Sequence, residues 1–368
     1  LNKGYIMTTI FNHHLFGLIL IVAILLNGCS TDSTTYNYNG PGSTYSLEMD
    51  TGDDTFELTE SDSDLAVYGT YESLDSGFTK LTVSSASGTD APSSGDEAYG
   101  IDVPGYVFLL KPLEANADII SMVASGDCPS EDFSANWIVT SIEDGQNFED
   151  SCDTTSTNGV DALGTFIYDH SESLGSLPTR YNICGDTLGS YELGTFTCSS
   201  GLATIDAATL YLTAIGGILV NINTDEDEDS QIIVALPSDA IDSIADFEDD
   251  YIGLVLTNDA SSSTVFPITA SFDSSTNKLR FDEVDPDTNI TTSTNDVNGY
   301  ATLSTSNSPS NGFVSGTFYI DSATSDTYKI ICSTSIDIFS SGKNFLFCIG
   351  QTPELGVDQM FNMLLISK

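Results

Sequence analysis

The sequence has very few basic residues. Nine lysines and arginines stand against 54 aspartates and glutamates, and the formal net charge of the 368-residue chain is −45 at pH 7. A surface with this charge repels nucleic acid and anionic lipid head groups, so we exclude nucleic acid as a partner. Because hydrophobic residues still make up 40% of the chain, the composition differs from that of a disordered polyanion, and the chain can bury a core.

Recognisable catalytic and metal-binding motifs are missing as well. The sequence contains no G-x-S-x-G, no H-E-x-x-H, no P-loop, no G-x-G-x-x-G and no C-x-x-C. Beyond residue 28 the sequence has a single histidine, His170, which follows Asp169 at the end of a predicted strand. This pair could supply a general base, but a lone histidine in an acidic turn is typical of a solvated residue. We therefore predict no catalytic residue, no metal ligand and no cofactor.

Acidic residues are so numerous that no pair of them can be identified from the sequence as a catalytic site. Any two could be proposed as the acid pair of a glycosidase, and a polysaccharide-directed hydrolase therefore stays an alternative without named residues. Two clusters, at 225–229 and 282–287, are dense enough to attract Ca²⁺ weakly, although neither has the spacing of an EF-hand loop. The acidity is mainly interpreted as a means of staying soluble in a saline setting.

Long hydrophobic runs are limited to one. The twelve residues Leu15–Leu26 carry no charge. They suffice for the core of a signal peptide but not for a bilayer span, which needs roughly 20 residues. Directly after them come Asn27, Gly28 and Cys29, so that a branched apolar residue stands three positions before a cysteine and a small residue stands one before it. This arrangement resembles the lipobox of bacterial lipoproteins, which have a type II signal peptide.

The resemblance implies that residues 1–28 are a removed signal peptide and that Cys29 is the lipid-bearing first residue of the mature chain. Several acyl chains on one residue give stable attachment to a membrane. Cys29 is followed by Ser30 and not by aspartate, which by the same resemblance implies the outer membrane. Either the periplasmic or the cell-surface face of that membrane is compatible with the sequence. Translation could start at Leu1 or at Met7, and only the longer leader includes Lys3.

Six cysteines follow the lipobox. In an exported chain an even number predicts disulfides, and the connectivity cannot be read from the sequence. Sequential pairing would close short loops and would suit hairpins. The sequential pairs are Cys128 with Cys152, Cys184 with Cys198, and Cys332 with Cys348.

Sustained helical periodicity is nearly absent. Short apolar runs rich in β-branched and aromatic residues alternate with Asp, Ser, Gly and Asn, which predicts an all-β chain of antiparallel β-sandwich or small β-barrel domains. Two stretches depart from this pattern and predict short helices. One is 236–247, with Ser238 as N-cap, and the other is 353–368, where apolar residues recur at helical spacing.

Weak internal matches suggest a tandem duplication. Gly69-Thr70-Tyr71 resembles Gly194-Thr195-Phe196, and the segment around Trp137 resembles the segment around Tyr251. We therefore predict two similar β domains. The predicted organisation is a signal peptide at 1–28, a lipidated flexible tether at 29–47, β domain 1 at 48–188, β domain 2 at 189–352 and a helical segment at 353–368.

Trp137 and Tyr251 are the candidate ligand-facing residues, one in each predicted domain, although aromatic residues on strands are typical of core packing. The leading hypothesis is a cell-envelope lipoprotein that binds a partner or supports the envelope rather than an enzyme. The alternatives are a polysaccharide-directed hydrolase and a carrier of a small apolar ligand. The sequence identifies no protein or glycan partner.

Overall fold

The computed structural model describes most of the chain from residue 34 onward. The described residues are 34–40, 45–61, 63–89, 91–111, 120–124, 126–142, 162–182, 185–199, 201–205, 208–211, 219–222, 230–237, 243–259, 262–291, 298–305, 312–321, 328–337, 342–352 and 359–368. They form an all-β structure of three antiparallel units in chain order. These are a closed barrel, an eight-stranded sheet and a second closed barrel.

Barrel 1 is an eight-stranded meander in which each strand pairs with the next and the first strand pairs with the last. Alternating exposed and buried residues mark most of its strands, as expected where one face of a strand points into a barrel. The strands are β1 (Thr35–Asn39), β2 (Tyr45–Asp50), β3 (Thr55–Glu60), β4 (Ala66–Ser73), β5 (Thr79–Ser87), β6 (Glu97–Val103), β7 (Val107–Lys111) and β8 (Ile120–Ala124).

The central sheet follows barrel 1. Its strands are β9 (Phe133–Ile142), β10 (Ala162–Asp169), β11 (Leu174–Tyr181), β12 (Thr187–Ser199), β13 (Leu202–Ile205), β14 (Ala208–Tyr211), β15 (Leu219–Ile222) and β16 (Ser230–Pro237). They lie in the order β14-β13-β12-β11-β10-β9-β16-β15. The two edge strands, β14 and β15, contact each other, so the sheet curls and has an inner and an outer face.

Barrel 2 repeats the meander of barrel 1. A short 3₁₀ helix, Ile244–Phe247, precedes it, with Ser243 as N-cap. The first strand pairs with the last, and one two-residue strand, β20, lies outside the closed ring. The strands are β17 (Asp250–Asp259), β18 (Ser262–Asp273), β19 (Lys278–Asp285), β20 (Ile290–Thr291), β21 (Gly299–Ser304), β22 (Phe313–Ile320), β23 (Tyr328–Ser335), β24 (Phe345–Thr352) and β25 (Gln359–Ser367).

Packed aromatic rings occupy the interior of both barrels. In barrel 2 the ring centroids of Phe281 and Phe318 lie 4.9 Å apart, and those of Phe318 and Phe361 lie 5.3 Å apart. A Cβ atom added to Gly350 would lie 2.2 Å from the Phe361 ring, so this position has to be glycine for the ring to fit. Side chains therefore take the interior volume that a ligand would need, as is usual for eight-stranded barrels.

One carboxylate lies inside barrel 1. The Tyr38 hydroxyl donates to Asp102 Oδ1 at 2.7 Å and accepts from the Gly105 backbone N–H at 3.2 Å, which links β1 to β6 across the barrel. Burial raises the pKa of Asp102 to about 6, although the hydrogen bond from Tyr38 acts in the opposite direction. The ionised carboxylate is thus disfavoured inside the barrel.

We expect Asp102→Asn to stabilise the protein at neutral pH. The folded-state pKa of about 6 exceeds the unfolded value of about 3.9, so the native state holds more protons between these values and its stability falls as pH rises through this window. Asparagine still accepts from Tyr38 but carries no charge. The gain in unfolding free energy should be about 3 kcal/mol at pH 7 and should vanish towards pH 4.

Urea unfolding between about pH 4 and pH 8 measures this difference. Asp53→Asn, in an exposed turn of the same barrel, is the matched control for the loss of one carboxylate. A difference between native protein and Asp102→Asn that does not change with pH would contradict the assigned cause.

A shared apolar core joins the three units. Strand β7 shows how, because Phe108 and Leu110 point into barrel 1 whereas Val107 and Leu109 pack outward with residues of the central sheet and barrel 2. The main members of this core from the other two units are Ile138, Leu163, Val234, Leu236, Leu254, Phe345, Phe347, Leu364 and Ile366. The outer walls of the barrels are therefore interfaces where the units meet.

Two polar contacts reinforce this packing. The fully buried Asn136 of the central sheet donates from Nδ2 to the backbone oxygens of Gly312 and Thr334 in barrel 2, at 3.1 and 3.2 Å. Asp287 of barrel 2 accepts from Lys80 Nζ at 3.2 Å and from the Tyr99 hydroxyl at 2.6 Å, both in barrel 1. The three units thus contact one another directly.

The structure confirms the all-β class and the two barrels in tandem, but it divides the chain differently from the predicted domains. The predicted boundary at 188/189 falls inside β12, and a separate sheet lies between the barrels. Because Trp137 lies in this sheet and Tyr251 in barrel 2, the segments matched as repeats do not occupy equivalent strands.

Two terminal predictions are wrong where the structure describes them. The predicted tether 29–47 already contains β1 and the start of β2, and Tyr38 within it is fully buried. The predicted helix at 353–368 includes strand β25, and residues 361–367 are all buried. Since β25 faces the barrel interior on one side and the shared core on the other, apolar residues lie on both of its faces and the alternation of a half-buried strand is lost.

The predicted helix at 236–247 is shorter than expected. Strand β16 continues to Pro237, and the helical turn spans only Ile244–Phe247 with Ser243, rather than Ser238, as its N-cap. Residues 238–242 lie outside the described part. Phe247 is buried in the core of barrel 2, so this segment closes one end of the barrel as a plug.

The disulfides confirm one predicted pair and overturn another two. Cys332 and Cys348 are bonded and lie directly opposite each other on β23 and β24. Cys128 is bonded to Cys198, which excludes its pairing with Cys152 and the pairing of Cys198 with Cys184. Cys152 and Cys184 themselves lie outside the described residues.

The reason for the second pairing lies in the tertiary structure. Cys128 belongs to the connection between barrel 1 and the central sheet, and the end of β12 packs against this connection. A Cβ atom added to Gly201 would lie 2.9 Å from the Gly126 backbone oxygen. Proximity of this kind is not visible in cysteine spacing.

Candidate functional site on the central sheet

The candidate site lies on the inner face of the central sheet, opposite the face that packs on the barrels. Trp137 is 2% exposed and belongs to an aromatic cluster on this face. Its ring centroid lies 5.5 Å from that of Phe166, which in turn lies 5.8 Å from Phe196. A Cβ atom added to Gly175 would lie 1.9 Å from the Phe196 ring, so glycine makes room for this cluster.

Strand register places Arg180 on the same face. Trp137 lies opposite Gly164, Gly164 opposite Arg180, and Arg180 opposite Gly189, in one row across β9 to β12. Residues opposite each other in antiparallel strands share a face. A neighbouring pair in the register, Leu163 with Tyr181, belongs to the outer face, which confirms the assignment for Gly164 with Arg180.

Gly164 brings β11 close to the tryptophan strand. A Cβ atom there would lie 2.4 Å from the Thr179 backbone oxygen and 3.5 Å from Arg180 Cα, where the register between β10 and β11 shifts. Two inter-strand spacings separate the Cα atoms of Trp137 and Arg180, about 10 Å. On the other side of Arg180, a Cβ atom added to Gly189 would meet nothing within 4 Å. The row therefore runs from the aromatic cluster to open space.

Two hydrogen-bond donors in this row have no acceptor. Neither Trp137 Nε1 nor Arg180 Nε, both shielded from solvent, makes a hydrogen bond. A buried donor left without an acceptor costs about 1–3 kcal/mol. Both atoms can only donate, so the chemistry that would satisfy them is that of an acceptor.

The Arg180 guanidinium is held by an aromatic ring rather than by an acid. Its central carbon lies 4.7 Å from the centroid of the Tyr191 ring, which is 50% exposed. Tyr191 lies opposite Leu177, a member of the inner-face cluster, and hence belongs to the same face. We call Arg180, Gly189 and Tyr191 the rim, because they lie between the buried cluster and solvent.

Other predicted candidates have structural roles. The Tyr251 hydroxyl donates to the Phe247 backbone oxygen at 2.8 Å inside barrel 2, so this side chain packs in the core and does not line a ligand cavity. Trp137 and Tyr251 are therefore not equivalent.

His170 is exposed in the turn after β10, where its backbone N–H donates to Asp132. The Asp169 carboxylate accepts from the backbone N–H and hydroxyl of Ser171 and from the Glu172 N–H, which lowers the pKa of Asp169. This carboxylate holds the turn instead of orienting the imidazole. The geometry gives no support to a general base here.

The acidic cluster at 282–287 is engaged within the protein. Asp282 pairs with Arg280, which also pairs with Asp321, and Asp287 binds Lys80 and Tyr99 as described above. Across the part of the chain that the structure describes, no three His, Cys, Asp or Glu side chains are grouped to hold a metal ion. The cluster at 225–229 lies outside that part.

An open recess of about 210 Å³ lies beside β18 and β19 of barrel 2. Both signs of charge line it, from Asp250, Asp282, Arg280 and Lys368. Since Arg280 is already paired with two aspartates, the recess offers less unmet bonding capacity than the inner face of the central sheet.

Comparison with known proteins gives no family. No family model matches the chain, and no curated protein matches it. Among solved structures, the chain is similar to isotype 1 transferrin binding protein B from serogroup B Neisseria meningitidis, at a TM-score of 0.30 and 10% identity over 88% of this chain. The chain spans 65% of the length of that protein.

A second similar structure is a protein of unknown function of the DUF3598 family from Nostoc punctiforme. The TM-score is 0.19 and the identity 9%, covering 91% of this chain and 94% of that one.

Within the described residues, no helix is long and apolar enough to cross a membrane.

Proposed function

We propose that this chain is a lipoprotein of the cell envelope, anchored through Cys29, that binds a ligand at the rim and inner face of its central sheet. The lipobox-like Leu26-Asn27-Gly28-Cys29 supports the anchor. The pair of unpartnered donors, Trp137 Nε1 and Arg180 Nε, carries the binding function. These unmet donors lie in one row of the sheet, which ends in open space over Gly189.

The anchor would hold the body close to the membrane. Strand β1 begins at Thr35, six residues after Cys29. Six residues can span at most about 20 Å when fully extended. Barrel 1 would therefore lie next to the lipid surface, and the central sheet would follow it in the chain. A binding protein held in this way collects its ligand at the envelope.

The aromatic packing in the barrels favours the central sheet over the barrels as the ligand site. The carrier hypothesis needs a cavity inside a barrel, whereas rings and a disulfide occupy the interior of barrel 2, and Tyr38 and Phe108 pack together inside barrel 1. From the carrier hypothesis we therefore keep one element, which is that Trp137 lies beside the ligand.

The sole tryptophan of the chain makes this site directly observable. We expect the fluorescence of Trp137 to change saturably when the native protein is titrated with 4-phenylbutyrate or with its neutral amide, 4-phenylbutanamide. Both compounds carry an acceptor oxygen and an apolar aryl group, and neither absorbs where tryptophan alone is excited. The binding curve should disappear when Gly189→Trp is titrated by calorimetry, because the added ring fills the rim.

Gly185→Trp, also at an exposed glycine with open space around it but off the row of Trp137 and Arg180, is the matched control and should bind as the native protein does. Absence of any saturable response to either compound in the native protein, by fluorescence and by calorimetry, would contradict binding at this face.

A further inference from the structure

The charge of Arg180 indicates the chemical class of the ligand. We propose that the rim binds an organic anion, a carboxylate joined to an apolar or aromatic group, with the carboxylate on the Arg180 guanidinium. The inference rests on the proposed ligand-binding function and adds its specificity.

The two arginines of the sequence differ in their partners. Arg280 pairs with Asp282 and with Asp321, as expected in a chain with 54 acidic residues. Arg180 has no ion pair with the described residues, and its recorded contact is with the Tyr191 ring. Because the Arg180 guanidinium packs on a ring and not on a carboxylate, its planar set of N–H donors is available to a ligand. Those donors match a carboxylate in two parallel hydrogen bonds.

The immediate surroundings of Arg180 leave space for a small ligand. Glycine lies on both sides of it in the row, Gly164 on β10 and Gly189 on β12. The space over Gly189 is open. A carboxylate bound there would be next to the exposed Tyr191 ring, which offers an apolar surface to the rest of the ligand. The net charge of −45 repels an anion, so recognition of an anion has to come from this local cation.

The unpartnered indole N–H gives a second, independent reason for a ligand. Trp137 is 2% exposed, and its Nε1 makes no hydrogen bond. It lies one strand beyond Gly164 in the same row as Arg180. A ligand seated on Arg180 that carries a further acceptor oxygen would satisfy this donor as well, which predicts tighter binding of oxygenated aryl carboxylates than of purely hydrocarbon ones.

The test compares a carboxylate with its neutral amide on three proteins. We expect native protein to bind 4-phenylbutyrate at least about tenfold more tightly than 4-phenylbutanamide, because a charge-assisted pair adds at least about 1.4 kcal/mol. Arg180→Gln should remove this preference, because it weakens binding of the carboxylate far more than binding of the amide. Arg280→Gln changes the net charge equally and should keep the preference. Affinity is measured by calorimetry and by Trp137 fluorescence, and thermal melting verifies that each variant is folded.

Arg180→Lys keeps the positive charge but lacks the planar set of donors, and it should bind the carboxylate with intermediate affinity. Equal binding of carboxylate and amide by the native protein would overturn the anion inference while leaving the ligand-binding function intact. Undiminished preference in Arg180→Gln would overturn the assignment of Arg180. No binding of either compound would contradict the proposed function itself.

Discussion

Replacing Cys128 by serine should lower the free energy of unfolding by about 4 kcal/mol, because the loop-closure entropy of a disulfide grows with the length of the loop. The Cys128–Cys198 bond spans a sequence separation of 70 residues, against 16 for Cys332–Cys348. It also ties the connection after barrel 1 to β12 of the central sheet. Removing this bond increases the conformational entropy of the unfolded chain. In the native protein it also loosens the junction between barrel 1 and the central sheet.

The same variant separates the observed pairing from the sequential one. Peptide mapping without reduction should find the free thiol of Cys128→Ser at Cys198. Cys198→Ser should lose the same stability, and the double variant Cys128→Ser/Cys198→Ser should lose no more than either single one, since all three lack one bond. A free thiol at Cys152 in Cys128→Ser, or additive losses in the double variant, would contradict the assigned bond.

Strands that are buried on one face could be predicted from the sequence, whereas a strand that is buried on both faces could not. The class is readable because strands such as β2 and β4 alternate buried and exposed residues, with turn residues between them. Strand β25 is buried on both faces, so apolar residues lie on each of them, and the sequence fits a helical stripe equally well. The burial of its second face depends on packing between units, which no local pattern records.

The first strand was missed for the opposite reason. Thr35–Asn39 is polar in sequence, with tyrosines at alternate positions, so the sequence alone predicts a tether here. What fixes it is Tyr38, whose ring packs at 6.1 Å from Phe108 and whose hydroxyl reaches Asp102, 64 residues away. A polar strand that closes a barrel is identified by its partners rather than by its own composition.

Half of the candidate site could be found from the sequence. Trp137 stood out because it is the single tryptophan. Arg180 gave no signal, because its place beside Gly164 arises from the pairing of β9, β10 and β11 and from the register shift between the last two. The rarity of arginine in this acidic chain was the available clue, and it becomes specific only once the structure shows that Arg180 lacks the acidic partners that Arg280 has.

In the proposed lipoprotein, anchoring to the membrane depends on Cys29, and loss of this residue should have the largest effect of all. Cys29→Ala should remove lipid attachment completely, because the acyl groups of a lipoprotein are carried by that residue alone. The protein should then leave the membrane fraction, since a single determinant holds it there. The folded body should be unaffected, because β1 begins six residues later at Thr35.

Whole-cell labelling with radioactive palmitate, comparing native protein with Cys29→Ala, is the most direct test of the proposal that this is an anchored envelope protein. Cys128→Ser is the matched control for loss of a cysteine elsewhere. We predict label on native protein and on Cys128→Ser, and none on Cys29→Ala. Label that persists on Cys29→Ala, or native protein that carries no label and retains its leader in the cytosol, would contradict the account.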